Sequence, residues 1–314
     1  MPKYSIVVPA YNEEKTLRLF YDAVTPLFAS LGEEYELIFV NDGSMDATKE
    51  ILDELAVQDK RVKVCHFSRN FGQQAALLCG FRYAKGEAVI AMDADLQDPP
   101  EVALEMIEKW REGYEVVHGK RRKRKGDSLF KRATAAIFYR LTRRLTGLNM
   151  PADVGDFKLY DRKVVDAVLS LKEHNRLLRA QIGWLGFKQT TVEFDRPERI
   201  AGETHYTLKK MVRVAKDGFF PNAEVHLTLP IKLGIVGALL SVACFITFIV
   251  LTCMGVNFGG LTAWLFPTVT MTGSLLSIFI GLSNLHLSMI YKEAQNRPVY
   301  IVTETKNLDK PIEK

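Results

Sequence analysis

AVIAMDADLQDPP, residues 88–100, is the stretch from which the rest of the chain is read. The apolar run Ala88 to Met92 has the make-up of a short buried strand, and three oxygen-bearing side chains, Asp93, Asp95 and Gln97, follow it at once. Side chains alternate across a strand, so carboxylates two residues apart at its fraying C-terminal end can turn together toward one hard cation. That arrangement suits a metal-held pyrophosphate. A plain surface turn, for which Asp and Pro-Pro are ordinary punctuation, is the competing reading.

Outward from this strand the pattern alternates. Tyr4 to Val8, Glu36 to Val40, Val62 to Phe67 and Glu115 to Val117 read as further strands, with helices near Glu13 to Ser30, Asp46 to Gln58, Gly72 to Ala84 and Pro100 to Glu112. Such alternation predicts an α/β fold with a doubly wound, mostly parallel sheet and ligands beyond the C-terminal strand ends. Polar residues gather there: Pro9 to Glu13, Asn41 to Ser44, Ser68 to Asn70 and Asp93 to Gln97. No glycine-rich dinucleotide fingerprint follows the first strand and no Walker-type loop occurs, so dehydrogenases and nucleoside triphosphatases lose their main support. Past residue 120 come a basic amphipathic segment over Ser128 to Leu145 and a Gly155-Asp156-Phe157 turn. Helices near Arg162 to Leu171 and Arg176 to Ile182, a strand near Lys188 to Phe194 and a juxtamembrane helix near Thr207 to Asp217 follow.

The 314 residues are 47% hydrophobic and carry a net charge of +5, both unevenly spread. From Leu233 to Tyr291 there is no Asp, Glu, Lys or Arg, enough for two passes of roughly 20 residues through a bilayer. Spans are expected at about 233–254 and 267–290, joined by the turn GVNFGG at 255–260. The expected organisation is a catalytic domain over 1–228 with its juxtamembrane helices, a transmembrane hairpin over 229–291 and a C-terminal tail over 292–314. Lys209, Lys210, Arg213, Lys216 and Lys232 precede the first span, Lys292 and Arg297 follow the second, and the turn has no basic residue. That bias places both termini in the cytoplasm of a multi-pass protein of the inner, or plasma, membrane. No charged and then apolar segment opens the sequence, so no cleaved signal peptide is expected.

KRRKRK at 120–125 and the basic helix after it fit a lipid bilayer or phosphate better than nucleic acid in a chain with a membrane hairpin. Cys65, Cys79, Cys244 and Cys253 have no metal-like spacing and read as reduced, buried residues.

VVPAYNEE at 7–14, NDGSMDAT at 41–48, SRNFGQQAAL at 68–77, MDADLQDPP at 92–100, GDFKLYDRKVVDA at 155–167, NRLLRAQIGWLGFKQ at 175–189 and NRPVYIV at 296–302 together resemble the polyprenyl-phosphate glycosyltransferases of glycosyltransferase family 2. The resemblance covers nearly the whole chain and is to the bactoprenol glucosyltransferases, relatives of the dolichol-phosphate mannosyltransferases. It implies a cytoplasmic GT-A domain and two transmembrane helices. It also implies transfer of a sugar, with inversion and a divalent metal, Mg2+ or Mn2+, from a UDP-sugar to undecaprenyl phosphate. By the same resemblance Pro9, Tyr11, Asn12 and Glu13 would line the nucleoside, with Asp42 near the uracil and Asp93 near ribose and metal. Asp95 and Gln97 would complete the protein's share of the metal shell. Ala47, His205 and Ser283-Asn284 depart from the family pattern; Ala47 matters little, and the others bear on acceptor geometry and on which sugar is transferred.

The acceptor phosphate is already an anion, so it needs alignment and charge screening rather than a strong general base. Arg121, Arg122, Lys131 and Arg132, with His205 when protonated, are the candidates for holding it. Asp156 either orients an active-site arginine, approaches the sugar, or serves a helix entry; with Asp93 and Asp95 it makes up the catalytic set. UDP-glucose is the first choice of donor and UDP-N-acetylglucosamine the second, and a homo-oligomer is left open. A processive polysaccharide synthase would carry a Gln-x-x-Arg-Trp acceptor motif and more spans; a non-catalytic membrane adaptor would not need the Asp93, Asp95, Gln97 set.

Overall fold

The computed structural model describes residues 2–122, 154–171, 173, 177–195, 225–256 and 260–308. They fall into two compact units, Met1–Glu203 with Pro298–Lys314, and Thr204–Arg297.

The first unit holds strands β1 (Tyr4–Ala10), β2 (Tyr35–Asn41), β3 (Val62–Phe67), β4 (Ala88–Ala91), β5 (Val116–Arg121), β6 (Val154–Asp161), β7 (Gln189–Phe194) and β8 (Val302–Lys306). Its helices are α1 (Leu17–Ala29), α2 (Thr48–Gln58), α3 (Gln73–Tyr83), α4 (Val102–Arg111), α5 (Arg162–Ser170) and α6 (Leu178–Leu185). The strands form one sheet in the order β7-β5-β6-β4-β1-β2-β3-β8. β1 pairs in parallel with β2 and β4, β2 with β3, and β5 with β7, while β6 runs antiparallel to β4 and β5, and β8 antiparallel to β3.

Both faces of the central strands are covered, which is why they read as near-continuous apolar runs. Tyr4, Ile6 and Val8 point into a core shared with α1, α2 and α4, and Val7 points the other way, into a core shared with α3, α5 and α6. Gly80 brings α3 close to β1, since a Cβ there would meet Val7 Cγ1 at 2.2 Å. The strand order reverses between β1 and β4, so a crevice opens beyond their C-terminal ends, the usual ligand position of a doubly wound sheet.

Two expectations change. Gly155, Asp156 and Phe157 form no turn but lie within β6. Gly-Asp is turn chemistry locally, yet β6 pairs with β5 on either side of the triplet, at Val154 and Lys158, and that ladder overrides it. The segment after Lys292, expected as a tail, returns to the first unit as β8 and closes the β3 edge, which leaves that edge no free row of backbone groups.

The second unit is a pair of helices, α7 (Val225–Cys253) and α8 (Leu265–Gln295), separated by a 3-10 turn at Gly260–Trp264. Leu229–Cys253 and Leu265–Gln295 are long and apolar enough to cross a membrane, with mean hydropathy 2.6 and 1.7. Only 11% and 17% of their apolar windows are buried, unlike a soluble core helix. They meet through small residues: a Cβ on Gly234 would meet the Ser274 carbonyl at 2.6 Å, and Ser241 Oγ hydrogen-bonds Thr270 Oγ1 at 2.8 Å. The basic segment Ser128 to Leu145 and the juxtamembrane helix near Thr207 to Asp217 lie outside the described residues.

Candidate active site

At the end of β1, Pro9 is half-buried, Tyr11 is 44% exposed and Asn12 takes a left-handed backbone at φ 56°. This loop is stitched to the one after β2. The Asn12 amide donates to Ser44 Oγ at 2.9 Å, the Met45 amide to Asn12 Oδ1 at 2.9 Å, and the Glu13 amide to Thr48 Oγ1 at 2.9 Å. The Glu13 carboxylate accepts from Thr16 Oγ1 at 2.6 Å at the entry to α1.

Asp42, buried behind this double loop, accepts the Phe71 amide on Oδ1 at 2.6 Å and the Gly72 amide on Oδ2 at 2.9 Å. Burial raises its pKa and the two amides oppose the rise. Its neighbour Gly43 sits at φ +66°, and a Cβ there would meet the Arg69 carbonyl carbon at 2.3 Å. Only glycine lets the loops after β2 and β3 approach so closely.

Beyond β4 the carboxylates converge. Burial, then the charges of Asp98, Asp95 and Asp156, push Asp93 up to about 8, with Arg121 pulling the other way. The Gln97 amide donates to Asp95 Oδ1 at 3.1 Å, and Leu96 between them is held at φ 54°, a conformation that costs a bulky residue about 1–3 kcal/mol. Gln97 is 6% exposed, and its side-chain oxygen is buried with no hydrogen-bond partner among the described residues. Packed negative charge and an orphaned hard oxygen fit a divalent cation. Among the described residues no three His, Cys, Asp or Glu side chains form a ready cage, so such a cation would take its remaining ligands from a diphosphate and water, as Mg2+ usually does.

Arg121 and Arg122, paired in the sequence reading, separate here. Arg121 lies against the carboxylates, its Nη2 3.8 Å from Asp98 Oδ1 and its Nε buried without a hydrogen-bond partner among the described residues. Arg122 turns to solvent and pairs with Asp195 at 3.1 Å. Lys131, Arg132 and His205 lie outside the described residues.

Asp156 faces the same region from β6. Its Oδ1 accepts from Arg179 Nε at 3.1 Å and its Oδ2 from Gln74 Nε2 at 3.3 Å, which favours the arginine-orienting role over a helix entry. Two residues along the same face, Lys158 is 1% exposed, and burial holds it down to about 8 despite the pull of Asp156. Sequence reading missed Gln73, Gln74, Asp98, Lys158 and Arg179. Asp98 was hidden in turn-like Asp-Pro-Pro, and the glutamines carry no charge to draw notice, although both lie inside SRNFGQQAAL.

The profile of glycosyltransferase family 2 matches residues 5–169, which spans both loops, the carboxylate cluster and Asp156. An uncharacterized glycosyltransferase of Bacillus subtilis, YkcC, is 46% identical over 98% of this chain and 95% of its own length. A prophage bactoprenol glucosyl transferase homolog of Escherichia coli is 36% identical over 97% of this chain and 99% of its own. The structure of glucosyl-3-phosphoglycerate synthase from Mycobacterium tuberculosis with Mn2+ and UDP-glucose aligns over 70% of this chain and 77% of that one, at 18% identity and a TM-score of 0.47. By the family profile and by relatives alike along its full length, this chain is a glycosyltransferase and belongs to glycosyltransferase family 2.

Proposed function

We propose that the protein transfers glucose from UDP-glucose to the phosphate of a polyprenyl phosphate, undecaprenyl phosphate in the first instance, at the cytoplasmic face of a membrane that α7 and α8 span. The observation that carries this reading is the cluster of Asp93, Asp95, Asp98 and Asp156 with the orphaned Gln97 oxygen, at the sheet's ligand crevice, in a chain that also holds two membrane-length helices. Full-length relatives described as bactoprenol glucosyl transferases, 36% identical, support the same donor and acceptor classes.

In this reaction an acceptor phosphate oxygen forms a bond to the sugar's anomeric carbon as the bond from that carbon to UDP breaks, and a single displacement inverts the centre. With a second pKa near ~6 the acceptor is largely dianionic at neutral pH, so no side chain need remove a proton. Asp93, Asp95 and Gln97 would hold Mg2+ or Mn2+, which when bound offsets the charge developing on UDP. The chain's own task is to bring two anions together. Arg121 supplies fixed positive charge beside the carboxylates, and Pro9, Tyr11, Asn12, Glu13 and Asp42 form the walls and floor of the nucleoside side.

The test is incubation of the full-length protein with undecaprenyl phosphate and a panel of UDP-sugars, with and without chelator, followed by mass spectrometry of the lipid. A glucosylated lipid formed only with divalent metal supports the proposal. An N-acetylglucosamine product would move the donor, and a polymer or no product would overturn the reaction.

A further inference from the structure

β4 and β6 run antiparallel with Ala88 opposite Asp161 and Ala91 opposite Lys158. Asp93 follows the end of β4 by two residues and Asp156 lies two residues before Lys158 on β6, and the Asp156 charge helps push the Asp93 carboxyl up. Like charges brought this close repel. Something must hold these two in place, and the first turn of α3 is built to do so. Gln73 and Gln74 are consecutive, so their side chains leave the helix about 100° apart and reach different partners. Gln73 Nε2 donates to Asp93 Oδ1 at 2.7 Å, and Gln74 Nε2 to Asp156 Oδ2 at 3.3 Å.

Gln74 is held at both ends of its amide, while Gln73 is exposed and is held through the start of the helix. The Gln74 side-chain oxygen accepts the Leu178 amide at 3.3 Å, which ties it to the start of α6. The helix start is fixed by Asp42 through the Phe71 and Gly72 amides, and its body by the close seat of Gly80 on Val7. An amide donates without a charge that pH or a nearby cation could remove or repel strongly, so it can grip a carboxylate without neutralising it.

We infer that Gln73 and Gln74 are positioning residues that fix the spacing of Asp93 and Asp156, Gln73 acting on the donor side and Gln74 on the reacting end. The inference rests on the transferase reaction proposed above. Gln73 and Gln74 touch carboxylates rather than reacting atoms, so each works through its partner. Asp42 then has a second duty, since by holding the start of α3 it links the nucleoside wall to both carboxylates.

The test uses full-length protein in detergent with Gln73→Met and Gln74→Met, which keep length and lose the donor, Gln74→Met also giving up the acceptor of the Leu178 amide. Gln74→Met is expected to lower kcat about tenfold or more with the UDP-sugar KM within about twofold, mainly through the lost hydrogen bond to a charged group. Gln73→Met is expected to raise the UDP-sugar KM and weaken UDP binding in calorimetry by a similar factor. In an Asp156→Asn background, Gln74→Met should cost little more. A helix start that merely unravels would move kcat, KM and UDP affinity together in both variants, and that result would overturn the inference. A thermal-unfolding cycle over wild type, Gln74→Met, Asp156→Asn and the double variant reads the same contact without turnover. Non-additive shifts support the grip and additive shifts refute it, even if wild type transfers no sugar and the proposed reaction itself fails.

Discussion

Arg121 and Arg122 are chain neighbours at the end of β5 whose side chains leave in opposite directions, and single substitutions should separate them. Arg121→Gln removes the cation beside Asp98 and is expected to lower transfer about tenfold or more in micelles that hold enzyme and acceptor together. Arg122→Gln loses only an exposed pair with Asp195, worth under about 1 kcal/mol, and micellar kcat/KM should stay within twofold. Equal effects would erase the distinction. At Asp95, Asn keeps the shape but offers a hard cation a weaker ligand, so Asp95→Asn should cut transfer by about 100-fold with an unchanged circular dichroism spectrum. Wild-type turnover at saturating Mn2+ would remove Asp95 from the metal set. His118 makes a prediction about stability. Burial, then the nearby Lys158, holds it down to about 4 against ~6.5 unfolded. Below ~6.5 the unfolded chain takes up a proton that the folded chain refuses, so stability present above ~6.5 is lost as pH falls toward ~4, by up to about 3 kcal/mol. His118→Gln should flatten the fall of Tm across that window. An unchanged slope would place the loss elsewhere.

Among the elements, β8 shows most clearly what local sequence hides. VTETK has a polar residue at every second place and beyond, as an edge strand does, and its partner β3 lies more than 230 residues away in the chain. Nothing local predicts that pairing. β1 to β4 were legible because strands buried on both faces are apolar for most of their length, and the helices between them carry their own periodicity. The grouping of Asp93, Asp95 and Gln97 beyond β4 was legible too, since their spacing is set by one strand end. Gln73 and Gln74 were not, because their meaning depends on where α3 places them against β4 and β6. If Asp42 lines the nucleoside as proposed, the strap leading into β8 bears on donor binding. Tyr300 stacks on Phe67 at 5.0 Å, Phe67 meets Phe71 edge-on at 5.7 Å, and Phe71 gives its amide to Asp42. Tyr300→Ala is therefore expected to cost about 2 kcal/mol of stability and to weaken UDP binding several-fold in calorimetry. Stability lost with UDP affinity untouched would make the strap a fastening of the sheet edge alone.

For the whole molecule, the chain leaves the first unit, forms the apolar hairpin, and comes back to complete the sheet, so the hairpin is an insertion before the last strand rather than a terminal anchor. Two ways of removing it should then differ. Truncation after Ala223 discards the hairpin together with β8, exposing the β3 edge and removing Tyr300 from Phe67. Lys49 also loses Glu304, which Lys306 and Lys49 hold down to about 2. That protein is expected to aggregate and bind UDP weakly. Replacing residues 225–297 by a flexible Gly/Ser linker of about 20 residues, with 298–308 retained, keeps the strand that closes the sheet. UDP affinity should then stay within about twofold of wild type, because every donor-side residue named above lies in the first unit. Use of a long-chain polyprenyl phosphate in liposomes should fall about 100-fold, since enzyme and acceptor no longer share a membrane and lose the effective concentration that sharing provides. A short-chain, water-soluble polyprenyl phosphate should restore much of that turnover. If the linked protein binds UDP as weakly as the truncated one although folded, the hairpin itself takes part in the donor site, and the division between a sheet that handles the nucleotide and helices that handle the lipid is wrong.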